Sequence, residues 1–392
     1  MTVLHTRINM LLGFLIELLD IPPSDYERAR ERARSLEEWL RRDGSLVAHL
    51  KPDVYPQGSF RYGTVIRPLF KHDEYDLDLV CAVHLCKTTV TQQQVKELIG
   101  REIVAYAETH RFKAPAEEKQ RCWRLNYADH VSFHMDILPS VPEDAATIRV
   151  IFERQVPAAL AEHAIAITDT RHPYYKEVDP RWPSSNPRGI ALWFEDRARP
   201  AAQHRINELV RSRTYASIDE VPPYEWKTTL QRAIQILKRH RDVMFKGNRD
   251  LAPISMIITT LAAHAYGGEE DLYSALDNIL TKMPLFVRKQ TPRVPNPVNP
   301  AEDFADCWSR DSQYEQNFWL WHNQVKADLH HLWEAIGRKE LPREIHNQFR
   351  LDLTTDQTRS LEAEFAKSTP RVITATPVIS IPAAPKPWGS DA

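Results

Sequence analysis

The segment from Gln57 to Pro139 constrains the fold more than any other part of the chain. In Tyr75-Asp76-Leu77-Asp78-Leu79-Val80-Cys81, apolar residues alternate with other types, which predicts a strand. Side chains at i and i+2 of a strand share a face, so Asp76 and Asp78 emerge together, opposite Tyr75, Leu77 and Leu79. Two carboxylates held that close repel each other unless a cation lies between them. Oxygen ligands of this kind suit Mg²⁺, which keeps coordination positions for water and substrate phosphate. Val131-Ser132-Phe133-His134-Met135-Asp136-Ile137-Leu138 predicts a second strand, with Val131, Phe133, Met135 and Ile137 toward the core and Ser132, His134 and Asp136 opposite. A third carboxylate at Asp136, on a strand beside the first, completes a site for two-metal phosphoryl transfer. An isolated Asp-x-Asp is as readily a solvated strand face, so this reading needs support from elsewhere in the chain.

Support comes from Tyr55-Pro56-Gln57-Gly58-Ser59-Phe60-Arg61, a turn in which Gly58 lets the backbone approach a phosphate and Ser59 adds a hydroxyl donor. Arg61, Arg67 and Lys71 lie between that turn and the acidic strand and suit a polyphosphate, although Arg61 would serve equally in an ion pair with a carboxylate. Gly-Ser, then Asp-x-Asp, then a distant strand-borne Asp resembles the polymerase-β-like nucleotidyltransferases. More narrowly, the chain resembles the bacterial cGAS/DncV-like nucleotidyltransferases (CD-NTases), relatives of the 2′-5′-oligoadenylate synthetases. His134-Met135-Asp136-Ile137-Leu138-Pro139 resembles the third-carboxylate strand of that family, and Ser185-Asn186-Pro187-Arg188-Gly189-Ile190-Ala191-Leu192-Trp193-Phe194 the segment that often follows it. Ile236-Leu237-Lys238-Arg239-His240-Arg241-Asp242 and the run from Asn296 to Trp308 resemble its helical half, so the likeness spans most of residues 50 to 310.

The resemblance implies an α+β fold: a polymerase-β-like core of mixed sheet and helices, plus an α-helical C-terminal lobe, around a central cleft. The expected divisions are residues 1–168 for the N-terminal helices and catalytic core, 169–200 for an inter-lobe loop, 201–366 for the helical lobe and 367–392 for a Pro-rich extended tail. It further implies two Mg²⁺ ions, with Mn²⁺ as a substitute, on Asp76, Asp78 and Asp136. Gly58 and Ser59 then hold the β- and γ-phosphates of a donor nucleotide, and Lys238 and Ser255 are the best matches to the triphosphate-binding Lys and Ser of the second lobe. Against that, Lys238 reads equally as a solvated helix residue and Ser255 as the cap of a helix with Pro253 at its first position. The implied activity is synthesis of a cyclic di- or trinucleotide from ATP, alone or with a second nucleoside triphosphate, in antiphage defence, with no DNA template. Two alternatives stay open: a transferase making linear oligoadenylate or modifying RNA ends or a small molecule, and a catalytically silent nucleotide or RNA sensor. His134 reads as a satisfied structural histidine or a catalytic one.

The remainder bounds these expectations. A net charge of −2 argues against a protein that coats nucleic acid by bulk electrostatics. Cys81, Cys86, Cys122 and Cys307 show no paired metal-ligand spacing and suit reduced thiols in a cytoplasmic protein. Met10 to Ile16 is apolar, but Glu17 and Asp20 interrupt it and no membrane segment is predicted. Helices are expected over 3–19, over 25–43 with Ser24 and Glu27 as a capping box and a stop at Gly44, over Thr91–His110, over Glu225–Phe245 and over 311–336. Trp182, Trp193 and Trp308 are candidates for stacking on bases or for core positions. The tail from Lys367 reads either as a surface strap or, from the resemblance, as the attachment point for a regulatory or conjugating protein.

Overall fold

A computed structural model describes residues 2–70, 73–127, 133–199 and 227–368. Lys71, Val131, Ser132, Glu225, Trp226 and the tail beyond Ser368 lie outside the described residues. The chain opens with α1 (Val3–Leu19) and α2 (Pro23–Arg41). β1 (Asp53–Pro56), the single turn α3 (Gly58–Arg61) and β2 (Tyr75–Ala82) follow, then α4 (Gln92–Thr109), β3 (Glu117–Glu118), β4 (Trp123–Tyr127) and β5 (Phe133–Pro142). α5 (Ala145–Glu153), α6 (Ala158–Ala161), β6 (Ile165–Ile167), β7 (Ser184–Ser185) and α7 (Pro187–Ala198) lead into the helical half. That half contains α8 (Thr229–Met244), α9 (Ser255–Ala265), α10 (Leu272–Lys282), α11 (Ser312–Ala335), α12 (Leu341–Phe349) and α13 (Thr355–Lys367).

The main sheet runs β1-β2-β5-β4-β3, with β6 and β7 continuing from the end of β5. β2 and β5 are parallel, and the other pairs are antiparallel. One face carries Leu77, Leu79, Cys81, Phe133, Met135 and Ile137 into a core closed by α2 and α4. This is the expected alternation, and it leaves Asp76, Asp78, His134 and Asp136 on the other face. Farther along that second face, Val80, Ala82 and Leu138 join Tyr55, Ile165 and Ile167 in a small apolar cluster, so the charged side chains that β2 and β5 place on this face lie at one end.

A separate, larger core belongs to the helices. α8, α9, α10 and α11 bury Leu237, Ile258, Leu276 and Trp321 in it, and α1 packs there too, with Leu11, Leu12 and Leu15 fully buried. No described helix is long and apolar enough to cross a membrane.

Several local expectations need correction. α2 begins at Pro23 rather than beyond Ser24, because a proline lacking an N–H fits the first helical position; its cap residue is Pro22, and no Ser24–Glu27 capping box forms. Residues 169–200 are not one long loop: they include α7, which Pro187 starts and Asn186 caps by accepting the Gly189 N–H at 2.9 Å. α9 starts at Ser255, two residues after Pro253, and Ile254 is its cap, so Ser255 makes no capping hydrogen bond. α8 starts at Thr229 with a Thr228–Gln231 capping box.

Candidate active site

Strand register builds the site. Parallel pairing sets Asp76 opposite His134 and Asp78 opposite Asp136. Antiparallel pairing on the other side sets Asn126 opposite His134 and Arg124 opposite Asp136. Period-2 alternation then puts two adjacent rungs on one face, Asp76-His134-Asn126 and Asp78-Asp136-Arg124. Donor atoms of Asp76, His134 and Asp136 lie within 4.8 Å of one another, a spacing at which one cation can bind several of them.

Gly58 closes this face from above. Its φ of +65° is the left-handed region, which glycine occupies at little cost. A side chain there would also collide, since a Cβ would stand 2.6 Å from Asp78 Oδ2. The turn therefore lies directly against the carboxylate. The Gln57 N–H donates to the Asp78 carbonyl at 2.8 Å, which fixes the turn to β2.

Crowding shows in the titration of these groups. Burial at the cleft floor, with Asp76 and Asp136 adding repulsion, pushes the Asp78 carboxyl up to about 7. Burial acts on Asp76 in the same direction, but its hydrogen bond to His134 and the charges of His134 and Arg124 outweigh it and hold that carboxyl below its ordinary value. Burial lowers the His134 imidazole, and contacts with Asp76 and Glu74 more than reverse this. Asp136 receives Arg124 through both oxygens, Nε to Oδ1 and Nη2 to Oδ2, each at 2.7 Å.

A cleft of about 600 Å³ opens beside the acidic face. Gly58, Ser59, Asp76 and Asp78 line one wall, and Lys238, Arg241, Asp242 and Ser255 line the other. Lys238 is not a solvated helix residue: it is buried and donates to the Thr64 carbonyl at 3.0 Å. Burial, with Arg241 nearby, lowers its ammonium to about 8. Neighbouring α8 side chains make the same kind of contact. Gln231, Gln235 and Arg239 donate to the carbonyls of Tyr62, Val65 and Arg67 at 2.8, 2.7 and 2.6 Å.

Arg61 is buried and directs its guanidinium to Glu195 instead of lining the cleft, the ion-pair outcome of the two readings. Trp182 and Trp308 are buried in the two main cores, and Trp193 packs against His264, so none of the three lines the cleft. Arg124 is one site residue that the sequence does not reveal. It lies on a short strand of mixed composition, and only the antiparallel register of β4 against β5 brings it to Asp136. Asp73 and Arg249 were also missed: they reach across the cleft mouth from opposite walls in a two-bond ion pair at 2.7 and 3.2 Å.

Residues 52–139 match the family model described as cyclic GMP-AMP synthase DncV-like, nucleotidyltransferase domain. A c-di-GMP synthase of Roseivirga ehrenbergii is 28% identical over 340 residues, which cover 86% of this chain and 82% of the relative. The cyclic dinucleotide synthase CdnG of Bradyrhizobium diazoefficiens is 25% identical over 348 residues, covering 82% and 74%. Among solved structures, the CD-NTase CdnG of Bradyrhizobium diazoefficiens in complex with GTP aligns with a TM-score of 0.63 at 22% identity, over 91% of this chain and 99% of that one. The GTP-bound form of Vibrio cholerae DncV aligns at 0.54 and 15%, over 91% and 88%. The fold is the polymerase-β-like one that the sequence implied, with its helical C-terminal region.

Proposed function

We propose, for a chain that belongs to the cGAS/DncV-like nucleotidyltransferases and is an enzyme of that family, that it joins two nucleoside triphosphates into a cyclic dinucleotide and releases pyrophosphate. Guanosine triphosphate is the substrate we name first, because the curated relatives at 28% and 25% identity are a c-di-GMP synthase and a cyclic dinucleotide synthase. ATP, the expectation from the resemblance, is the second arm of the test. The observation that carries the reading is the register that sets Asp78 against Asp136 directly beneath Gly58.

In each of two rounds, a ribose hydroxyl attacks the α-phosphorus of a donor triphosphate, its proton passes to Asp136, and the bond from that phosphorus to the β-bridging oxygen breaks to release pyrophosphate. Gly58 offers close backbone approach and Ser59 a hydroxyl donor to the β- and γ-phosphates. Lys238 and Ser255 approach the same phosphates from the opposite wall. Three clustered carboxylates fit a pair of hard divalent cations; Asp78, pushed up to about 7 first by burial and then by repulsion from Asp76 and Asp136, is the carboxylate such cations would stabilise in its charged form. Asp76 and Asp78 would hold both ions, with Asp136 on the acceptor side. Bound there, the ions supply activation of the acceptor hydroxyl and charge stabilisation of the leaving pyrophosphate. The Mg²⁺ preference, the antiphage role and a protein partner at the tail belong to this same reading.

Purified protein incubated with labelled GTP, ATP, CTP or UTP and Mg²⁺ or Mn²⁺ should give a phosphatase-resistant product, with GTP required. The double substitution Asp76→Asn and Asp78→Asn should abolish it. A phosphatase-sensitive ladder would establish linear synthesis instead.

A further inference from the structure

Arg124 places a permanent positive charge inside the acidic site. Its guanidinium engages both oxygens of Asp136 at 2.7 Å in the fork geometry that makes Arg–carboxylate pairs strong. Cross-strand pairing puts Arg124 opposite Asp136 on one side and opposite Glu117 on the other, so its position is set by the sheet. Glu117 is taken up by Lys119 and Asn126, at 2.5 and 2.8 Å. The Asp136 side chain is 16% exposed and that of Arg124 is 30% exposed, so the pair is shielded without being sealed from solvent. An arginine keeps its charge at every pH at which the protein is folded, and cannot release the carboxylate by losing a proton.

A divalent cation that uses Asp136 must therefore share its oxygens with the guanidinium or displace it, against a like charge. We propose that Arg124 is a positioning residue that both orients Asp136 and competes with the divalent cation for it, weakening metal binding on the acceptor side of the site. The inference rests on the two-metal reading above and adds a residue to it. Its sign separates it from simple structural support. A residue that only buttresses Asp136 strengthens metal binding, and its removal weakens it. A competing cation does the reverse.

The test is titration of the full-length protein with Mn²⁺ alone, following free Mn²⁺ by electron paramagnetic resonance, for wild type, Arg124→Gln, Arg124→Lys and the Asp76→Asn/Asp78→Asn double variant. Arg124→Gln should bind Mn²⁺ about fivefold or more tightly than wild type, because a like charge at contact distance is removed. Arg124→Lys, which keeps the charge and loses the fork, should fall between them. The Mg²⁺ concentration for half-maximal synthesis should fall in the same order. Unchanged or weaker Mn²⁺ binding in Arg124→Gln overturns the proposal while the metal site itself stands. If Arg124→Gln does not fold, Arg124→Lys decides by the same criterion. If wild type and the double Asp variant bind Mn²⁺ equally, the two-metal reading fails and this inference fails with it.

Discussion

The acidic residues of the site were legible because strand periodicity alone assigns Asp76, Asp78 and Asp136 to one face. Gly58 is legible as a turn glycine, but its second constraint, that a Cβ there would stand 2.6 Å from Asp78 Oδ2, is a tertiary fact. Gly58→Ala should therefore cost about 1–2 kcal/mol from backbone conformation alone, read as a lowered denaturation midpoint, and activity should fall further because Asp78 must move. The sign of the Asp78 effect on stability can be worked out. Its folded value of about 7 lies above the ordinary carboxylate range, so its contribution is fully present below about pH 4 and is lost as pH rises through about 7. In chelator-containing buffer, Asp78→Asn should raise Tm at pH 8 and show a shrinking difference toward pH 5. Lys238 works in the opposite sense for binding. Its ammonium, lowered to about 8, loses charge above that pH, so the KM for the donor nucleotide should climb between pH 7 and 9 in wild type and stay flat in Lys238→Met.

Among the elements, long periodic segments were read well and short or Pro-led ones poorly. α1, α4 and α11 fall within a residue or two of their expected ends, since each carries an apolar stripe or a cap that local sequence displays. The stretch that forms α7 reads as loop because Pro and Arg dominate its surroundings, although Asn186-Pro187 is itself a helix start. β3 and β7 are two residues each, below any detectable period, and they exist only because a neighbouring strand supplies hydrogen bonds. α8 is legible and the resemblance singles out Lys238 on it, but the carbonyl contacts of Gln231, Gln235 and Arg239 are not legible, since a run of Gln, Lys and Arg reads as a solvated face. Its apolar side is fully buried, with Leu237 at 0% exposure. Leu237→Ala should cost about 2–5 kcal/mol in chemical denaturation, and a smaller loss would mean that the helical core closes around the gap.

Over the whole molecule, two cores with a cleft between them match the two-lobe expectation, although α1 packs with the helices that follow the sheet rather than with the sheet itself. Sequence reading could not see this, because an amphipathic helix does not state which partner covers its stripe. The Asp73–Arg249 pair spans the cleft mouth, and its arginine is 54% exposed, which limits its worth to stability. Arg249→Ala should leave Tm nearly unchanged while raising the KM for nucleotide, and a matching drop in Tm would show that the pair serves the fold instead. The hydrogen bonds from Gln231, Gln235, Lys238 and Arg239 to the carbonyls of residues 62–67 have a mechanical outcome. They rivet the strip leading out of the Gly58-Ser59 turn to the same helix that carries Lys238, so both jaws that would grip a triphosphate travel as one rigid piece. Substrate entry and escape of a ring-closed product then have to be accommodated without parting those two jaws.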